Sequence, residues 1–214
     1  MDREGSIVVL NGPCGAGKTT LVRMLLAEYG DAVTFCTSHT SRAPRPGEVP
    51  GVNYHFVSRE HIAAGIAAGT FTVHTDFGGN LYGIKDESIE SILTSGKICL
   101  MDLTLDGIGN LRAKGHDPLC VSVIPPTLEE LERRMRARGD AEGQIATRMA
   151  TAEHIIAAAA TEGLFHAVIV NDRLPDAFSS LLAAIAEPLA RARARNPAPQ
   201  PQKQNRCELY ECCE

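Results

Sequence analysis

The stretch NGPCGAGKTT, residues 11–20, carries the pattern G-x-x-x-x-G-K-[ST] on Gly12, Gly17, Lys18 and Thr19. Glycines at this spacing let successive main-chain N–H groups turn inward around phosphate oxygens, and Gly15, Ala16 and Thr20 complete the residues expected along a phosphate chain. Lys18 adds a point charge, and the Thr19 hydroxyl suits a magnesium ion. A helix starting at this loop would also aim its positive dipole end at the phosphates. The run KICLMD ends in Asp102. A carboxylate at the carboxyl end of a parallel strand lies where ligands of α/β sheets collect, and it fits the surroundings of a magnesium ion or a donor-side contact; the plainer alternative is a strand-terminal cap. Such a phosphate loop is shared by kinases, GTPases and motor ATPases, so the acceptor side must decide between them.

The elements that would position these groups alternate along the chain. SIVVLNG (6–12) is a β-branched run before the glycine loop, and TTLVRMLLAEYG (19–30) follows with apolar residues at helical spacing. AVTFC (32–36), KICLMD (97–102), PLCVSVI (118–124) and HAVIVND (166–172) read as further strands, the longer ones as buried parallel strands. SHTSRAPRPGEVPG (38–51) reads as a long Pro/Gly-rich connection, and VNYHFVS and FTVHT as short strands around a helical REHIAAGIAAG. Thr127 and Glu130 have capping-box spacing, so a helix is predicted from there to about Gly139; a second runs over about 141–162, and PDAFSSLLAAIAEPLARAR supplies a closing helix. Strands alternating with helices predict an α/β fold with a mainly parallel sheet.

The 214 residues have room for one domain of ordinary size. Hydrophobic residues make 44% and charged residues 22%, near globular averages. The formal net charge of -5 argues against a general nucleic-acid binder while leaving room for a local phosphate grip. The absence of a long apolar run argues against a membrane partner, and the start MDREGSIVVLNG lacks a basic, cleavable leader pattern; a cytoplasmic location is expected. Cys14, Cys36, Cys99 and Cys120 lack metal-ligand spacing and are expected as free thiols. From Asn196 the composition changes to NPAPQPQKQNRCELYECCE, a Pro/Gln and then Cys-rich tail expected to stay unpacked; Cys207, Cys212 and Cys213 leave metal binding, intermolecular disulfides or partner recognition as alternatives to a passive end.

With GPCGAGKTT, SRAPRPGEVPGVNYHFVS, GNLYG, LMDLTLDG, PPTLEELERRMRARG and VIVND in that order, the chain resembles a guanylate kinase over about residues 6–185. The resemblance implies a P-loop NTPase fold with an inserted acceptor-binding subdomain of short β strands and a helical lid. It divides the chain into a core (1–37, 97–126 and 163–195), an acceptor subdomain (about 38–96) and a lid (about 127–162), with 196–214 as tail. It implies ATP and Mg2+ as cofactors, a small phosphorylated acceptor as partner, and a monomer or homodimer. Matched position by position, Arg42, Arg45, Tyr54 and Tyr82 are the acceptor-phosphate grip, with Glu48 beside them at the acceptor's body. The chemistry agrees, since arginines three apart on a proline-stiffened loop form a fork for a dianion. Arg134, Arg138 and Arg148 match the lid arginines that stabilise the transferring phosphoryl group together with Lys18, and Asn171 matches an asparagine on the adenine side.

The resemblance breaks at the base. The positions that would carry a serine, a glutamate, a second serine and a second aspartate to read guanine hold Ser38, Val73, Ile84 and Thr104, with Asp102 also expected at the acceptor's base or body. Guanine presents a carbonyl, a ring N–H and an amine, and groups left unpaired against an apolar wall cost roughly 1–3 kcal/mol each. An acceptor other than GMP is therefore expected. His74 or Asp76 would substitute only if the strand register slips. The alternatives are a guanylate kinase with compensated base contacts and a non-catalytic binding module; the latter sits poorly with the retained Lys18, Thr19 and lid arginines.

Overall fold

The computed structural model describes residues 5–45 and 47–197. Strand β1 (Ser6–Asn11) is buried from Ile7 to Asn11. It is apolar throughout because both its faces are covered: Val8 and Leu10 face one side, Ile7 and Val9 the other. The glycine loop follows and feeds α1 (Lys18–Tyr29), then come β2 (Val33–Phe35), β3 (His39–Thr40), β4 (His55–Phe56), α2 (Arg59–Ala67), β5 (Phe71–Phe77) and β6 (Asn80–Lys85). The remaining elements are α3 (Asp86–Thr94), β7 (Ile98–Asp102), α4 (Leu105–Ala113), β8 (Leu119–Ile124), α5 (Leu128–Ala137), α6 (Glu142–Ala159), β9 (Ala167–Val170), α7 (Leu174–Ala184) and α8 (Ala186–Arg195).

Five strands form a parallel sheet in the order β2-β7-β1-β8-β9. Leu21 and Leu25 of α1 and Leu181 of α7 pack on one face against Val8, Leu10, Val121 and Val123. Ile89 and Leu93 of α3 and Ile108 and Leu111 of α4 cover the other face, against Ile7, Val9, Cys99 and Met101. Truncating a fully buried leucine such as Leu21 to alanine would cost about 2–5 kcal/mol. The doubly covered parallel sheet is the expected α/β architecture, and the loop after β1 places the phosphate pattern at the strands' carboxyl ends.

Four short strands form a second sheet, in the order β4-β3-β6-β5. Here the sequence reading falls short. GNLYG, read as a turn, lies in strand β6, and the turn itself is Gly78-Gly79 with φ values of +58° and +75°. Positive φ at both central residues is the geometry of a two-residue hairpin, open to glycine without steric cost. The segment read as one long loop contains β3, and only His55 and Phe56 of VNYHFVS are strand. The closing helix is two helices broken at Ile185. Pro188 lacks an N–H, and its ring would clash with the carbonyl of Ala184, four residues back, so one helix cannot run through. Helix α5 starts where the capping-box spacing predicts it, with Thr127 Oγ1 accepting from the Glu130 N–H at 3.1 Å.

No helix among the described residues is long and apolar enough to cross a membrane. Cys14, Cys36, Cys99 and Cys120 are free thiols. Cys207, Cys212 and Cys213 lie outside the described residues.

Candidate active site

The glycine loop arches over the carboxyl end of β1 with Gly12, Gly15 and Gly17 at φ of +143°, +91° and +97°. A β-carbon on Gly12 would lie 2.0 Å from the carbonyl oxygen of Val123, and one on Gly17 would lie 2.1 Å from Asn171 Nδ2. Both the backbone angle and the space therefore require glycine. Helix α1 begins at Lys18 with no side-chain cap, which leaves the helix start open to an anion at the loop. Lys18 Nζ donates to the carbonyls of Gly12 at 2.6 Å and Pro13 at 3.1 Å and stands 3.8 Å from Asp102 Oδ1. Asp102 is 37% exposed, and the protein packed around it raises its pKa, which Lys18 partly offsets. Ala16 is buried, while Thr19 and Thr20 are exposed in the first turn of α1. A capless helix end, a lysine, a hydroxyl and one carboxylate fit a triphosphate with magnesium, an ion that keeps much of its water and needs few protein ligands.

Across the cleft, Arg42 lies with its guanidinium carbon 5.3 Å from the Tyr54 ring centroid and 5.9 Å from that of Phe56. The rings of Tyr54 and Tyr82 are 5.9 Å apart, edge to face. Arg42 donates to Glu48 Oε1 at 2.8 Å, and the Arg45 N–H donates to Glu48 Oε2 at 2.7 Å. Glu48, expected beside the acceptor's body, is thus committed to holding the loop that bears both arginines. Burial works to raise the Glu48 pKa, but the bonds from Arg42 and Arg45 outweigh it and hold the carboxyl below its usual range. The Arg42 Nε is buried with no hydrogen-bond partner, an open donor that an anion would satisfy. The Arg45 side chain is exposed. Burial, with Asp102 and Tyr82 nearby, pushes the Tyr54 pKa up to about 12, so Tyr54 keeps its proton as a donor.

Of the three arginines expected in a lid, Arg138 touches the glycine loop, while Arg134 and Arg148 are held beside it by Asn171 and Asp140. Arg134 donates to Glu130 Oε1 at 2.7 Å and to the main-chain oxygen of Asn171 at 2.9 Å. Arg138 reaches Cys14 Sγ of the glycine loop at 3.5 Å and is held by Asp140, with Nε to Oδ1 at 3.1 Å. Arg148, from α6, donates to the same carboxylate of Asp140. The Arg138 hydrogen bond is the largest influence keeping the Asp140 pKa low. Asn171 is buried, and its Nδ2 donates to the carbonyl of Ala16 at 2.7 Å. Its side chain therefore braces the phosphate loop, while its main chain holds a lid arginine.

Sequence reasoning missed Glu130 and Asp140. Glu130 stands four residues before Arg134 on one helix face, a spacing that signals an ion pair. Asp140 had no such signal, because its contacts span the turn between α5 and α6. The base-side positions are Ser38, at the start of the second sheet, and Val73 and Ile84, a cross-strand pair that are 3% and 1% exposed. Val73 and Ile84 pack in the cluster that includes Leu103 and Ile108. Thr104 Oγ1 accepts from the Gly107 N–H at 3.2 Å as the cap of α4. His74 and Asp76 pair with Gly83 and Leu81, so alternation places them on the face opposite Tyr82, and register slip does not supply a substitute.

Comparison with known proteins converges on one family. A profile of the guanylate kinase family matches residues 4–188. The human protein named guanylate kinase is 41% identical over 187 residues, covering 87% of this chain and 95% of that one. The Sphingopyxis alaskensis protein of the same name is 40% identical, covering 90% of this chain and 87% of that one. The crystal structure of guanylate kinase from Anaplasma phagocytophilum superimposes with a TM-score of 0.63 at 25% identity, covering 87% of each chain. The chain has the P-loop NTPase fold, is a phosphotransferase of the nucleoside monophosphate kinase type, and belongs to the guanylate kinase family.

Proposed function

We propose that this chain transfers the γ-phosphoryl group of ATP to GMP, yielding ADP and GDP. What supports the reading is a glycine loop of the triphosphate type beside Asp102, together with a separate cluster of arginine and tyrosine side chains suited to a second phosphate. Lys18 and the capless start of α1 lie on one side, and Arg42 with Tyr54 and Tyr82 on the other, close enough that Asp102 bears on the ionisation of Tyr54. The sequence reading favours a different acceptor. The relatives bear the name guanylate kinase instead, and that supports GMP.

In this reading Arg42, Arg45, Tyr54 and Tyr82 hold the acceptor's phosphate. Arg134, Arg138 and Arg148 surround the group in transit, where fixed cations matter more than a general base. Lys18 binds the donor phosphates at the loop. Thr19 and Asp102 are the residues that would hold magnesium, which supplies charge neutralisation across the phosphate oxygens. Residues 38–96 serve as the acceptor subdomain and 127–162 as the lid. A non-catalytic module is disfavoured by the intact Lys18 and lid arginines.

Phosphorus NMR of the protein with ATP, magnesium and GMP tests this directly. ADP and GDP resonances should grow together in equal amount. ADP accompanied by inorganic phosphate and no GDP would sink the reading.

A further inference from the structure

Strand register places two rows of side chains on the face of the second sheet that carries Tyr82, beside Tyr54 and Arg42. Phe56, Thr40, Tyr82 and Thr75 are neighbours across β4, β3, β6 and β5. One pleat further along, Ser38 precedes Thr40 by two residues and Ile84 pairs with Val73. The opposite face carries His39 and His55, stacked at 4.6 Å, and Asp76, which pairs with Arg59 at 2.7 Å. Helix α4 closes the second row: a β-carbon on Gly107 would lie 3.2 Å from Val73 Cγ1 and 3.3 Å from Leu103 Cβ.

A monophosphate whose phosphate meets Arg42 and Tyr82 therefore extends its body toward Ser38, Ile84, Val73 and Thr104. Val73 and Ile84, 3% and 1% exposed against Leu103 and Ile108, form an aliphatic floor there, and the four residues carry hydroxyls but no carboxylate, amide or guanidinium. A hydroxyl both donates and accepts, so it pairs with a ring carbonyl or an exocyclic amine alike. The Thr104 hydroxyl, moreover, already accepts from Gly107. Buried, single-sense donors or acceptors are what reject a wrong partner by leaving it unpaired; hydrophobic walls discriminate far less.

We infer that the acceptor is recognised through its phosphate and only weakly through its base, so that guanine, hypoxanthine and adenine monophosphates are all accepted. The inference rests on the transfer reading above and deepens it. The charged grip sets affinity for any such monophosphate, and the second row sets little preference among them.

The test is a panel of GMP, IMP and AMP as acceptors for the full chain with Mg-ATP, with equilibrium binding of each monophosphate measured in parallel. The GMP preference in kcat/KM should stay below roughly 10^3, since polar base reading reaches about 10^4–10^5 and apolar contacts about 10^2. A larger preference overturns the inference while leaving the transfer reading intact, and would direct attention to the exposed Asp106 in the first turn of α4. If none of the three is phosphorylated, the transfer reading fails, and the ratios of dissociation constants decide the inference against the same threshold. The double variant Val73→Glu, Thr104→Asp, checked for folding by thermal unfolding, should raise the GMP preference at least tenfold. An unchanged preference in a folded double variant counts against these positions, and where the variant fails to fold the wild-type panel decides alone.

Discussion

Arg138 and Arg148 share one carboxylate, that of Asp140, although they belong to the end of one helix and the middle of the next. Asp140 and Arg148 are nearly buried, with side-chain exposures of 13% and 11%, while Arg138 is half exposed and touches the glycine loop through Cys14. Two cations this close would repel each other without the carboxylate between them, so Asp140 sets where both guanidinium groups point.

Asp140→Asn should lower kcat by about 10- to 100-fold, because misplaced cations no longer meet the group in transit. The KM for ATP should move less than the kcat, and Asp140→Glu should recover part of the loss. Steady-state kinetics with both substrates varied checks this. A variant that loses thermal stability but keeps its kcat would show Asp140 to be structural only.

Arg42→Lys should raise the KM for the acceptor by roughly 10- to 100-fold, the worth of a charge-assisted hydrogen bond lost with the planar fork. The KM for ATP should stay close to its wild-type value. A lysine cannot bond Glu48 while stacking on Tyr54 and Phe56, so the loop loses its anchor as well. Equal changes in both KM values would contradict the division of the cleft into two phosphate sites.

The fold's legibility in the sequence follows how local each cause is. The glycine loop was readable because its glycines, lysine and threonine all lie within ten residues, although the close approaches to Val123 and Asn171 show only in the fold, and α5 because its cap lies three residues from its partner. Strand β6 and the hairpin at Gly78-Gly79 were not read, because the pairing of Tyr82 with Thr75 shows only once β5 and β6 meet. The break at Ile185 was present in the sequence as Pro188 and was passed over for the apolar periodicity around it. Asp140 was invisible for a different reason: its bond to Arg148 depends on how α5 and α6 fold back on each other.

Stability should fall with acid before the carboxylates titrate. Burial, followed by the nearby His55, Lys85 and His61, lowers the His39 pKa to about 4, so the folded protein holds a neutral imidazole whose Nδ1 is buried and unpaired. The unfolded chain takes up that proton near the ordinary histidine value of about 6.5. The stabilisation is therefore complete above that value and is lost as pH falls from about 6.5 toward 4, on the order of 2 kcal/mol after allowance for residual solvent screening. Urea unfolding of the wild type and His39→Gln at pH 7.5 and 5 checks this. The variant should lose less stability between the two, and equal losses would assign the effect to other groups.

Gly17→Ala should disable the loop. The residue sits at φ +97°, and its new β-carbon would collide with Asn171 Nδ2. The Asn171 bond to Ala16 would break, with a destabilisation of about 1–3 kcal/mol and weakened ATP binding. Nucleotide titration of the variant reads out both loop and brace, and retention of wild-type affinity would contradict the account of Gly17.

In the proposed reaction Lys18 and the arginines act on one phosphoryl group passing between two nucleotides. Transfer of label from γ-labelled ATP to GMP, compared in the wild type and Lys18→Met, tests it most directly. The wild type should yield labelled GDP, and the variant should do so at a rate lower by about 10^2–10^3, with folding unchanged. Labelled GDP at the same rate from both proteins, or none from the wild type, would contradict it.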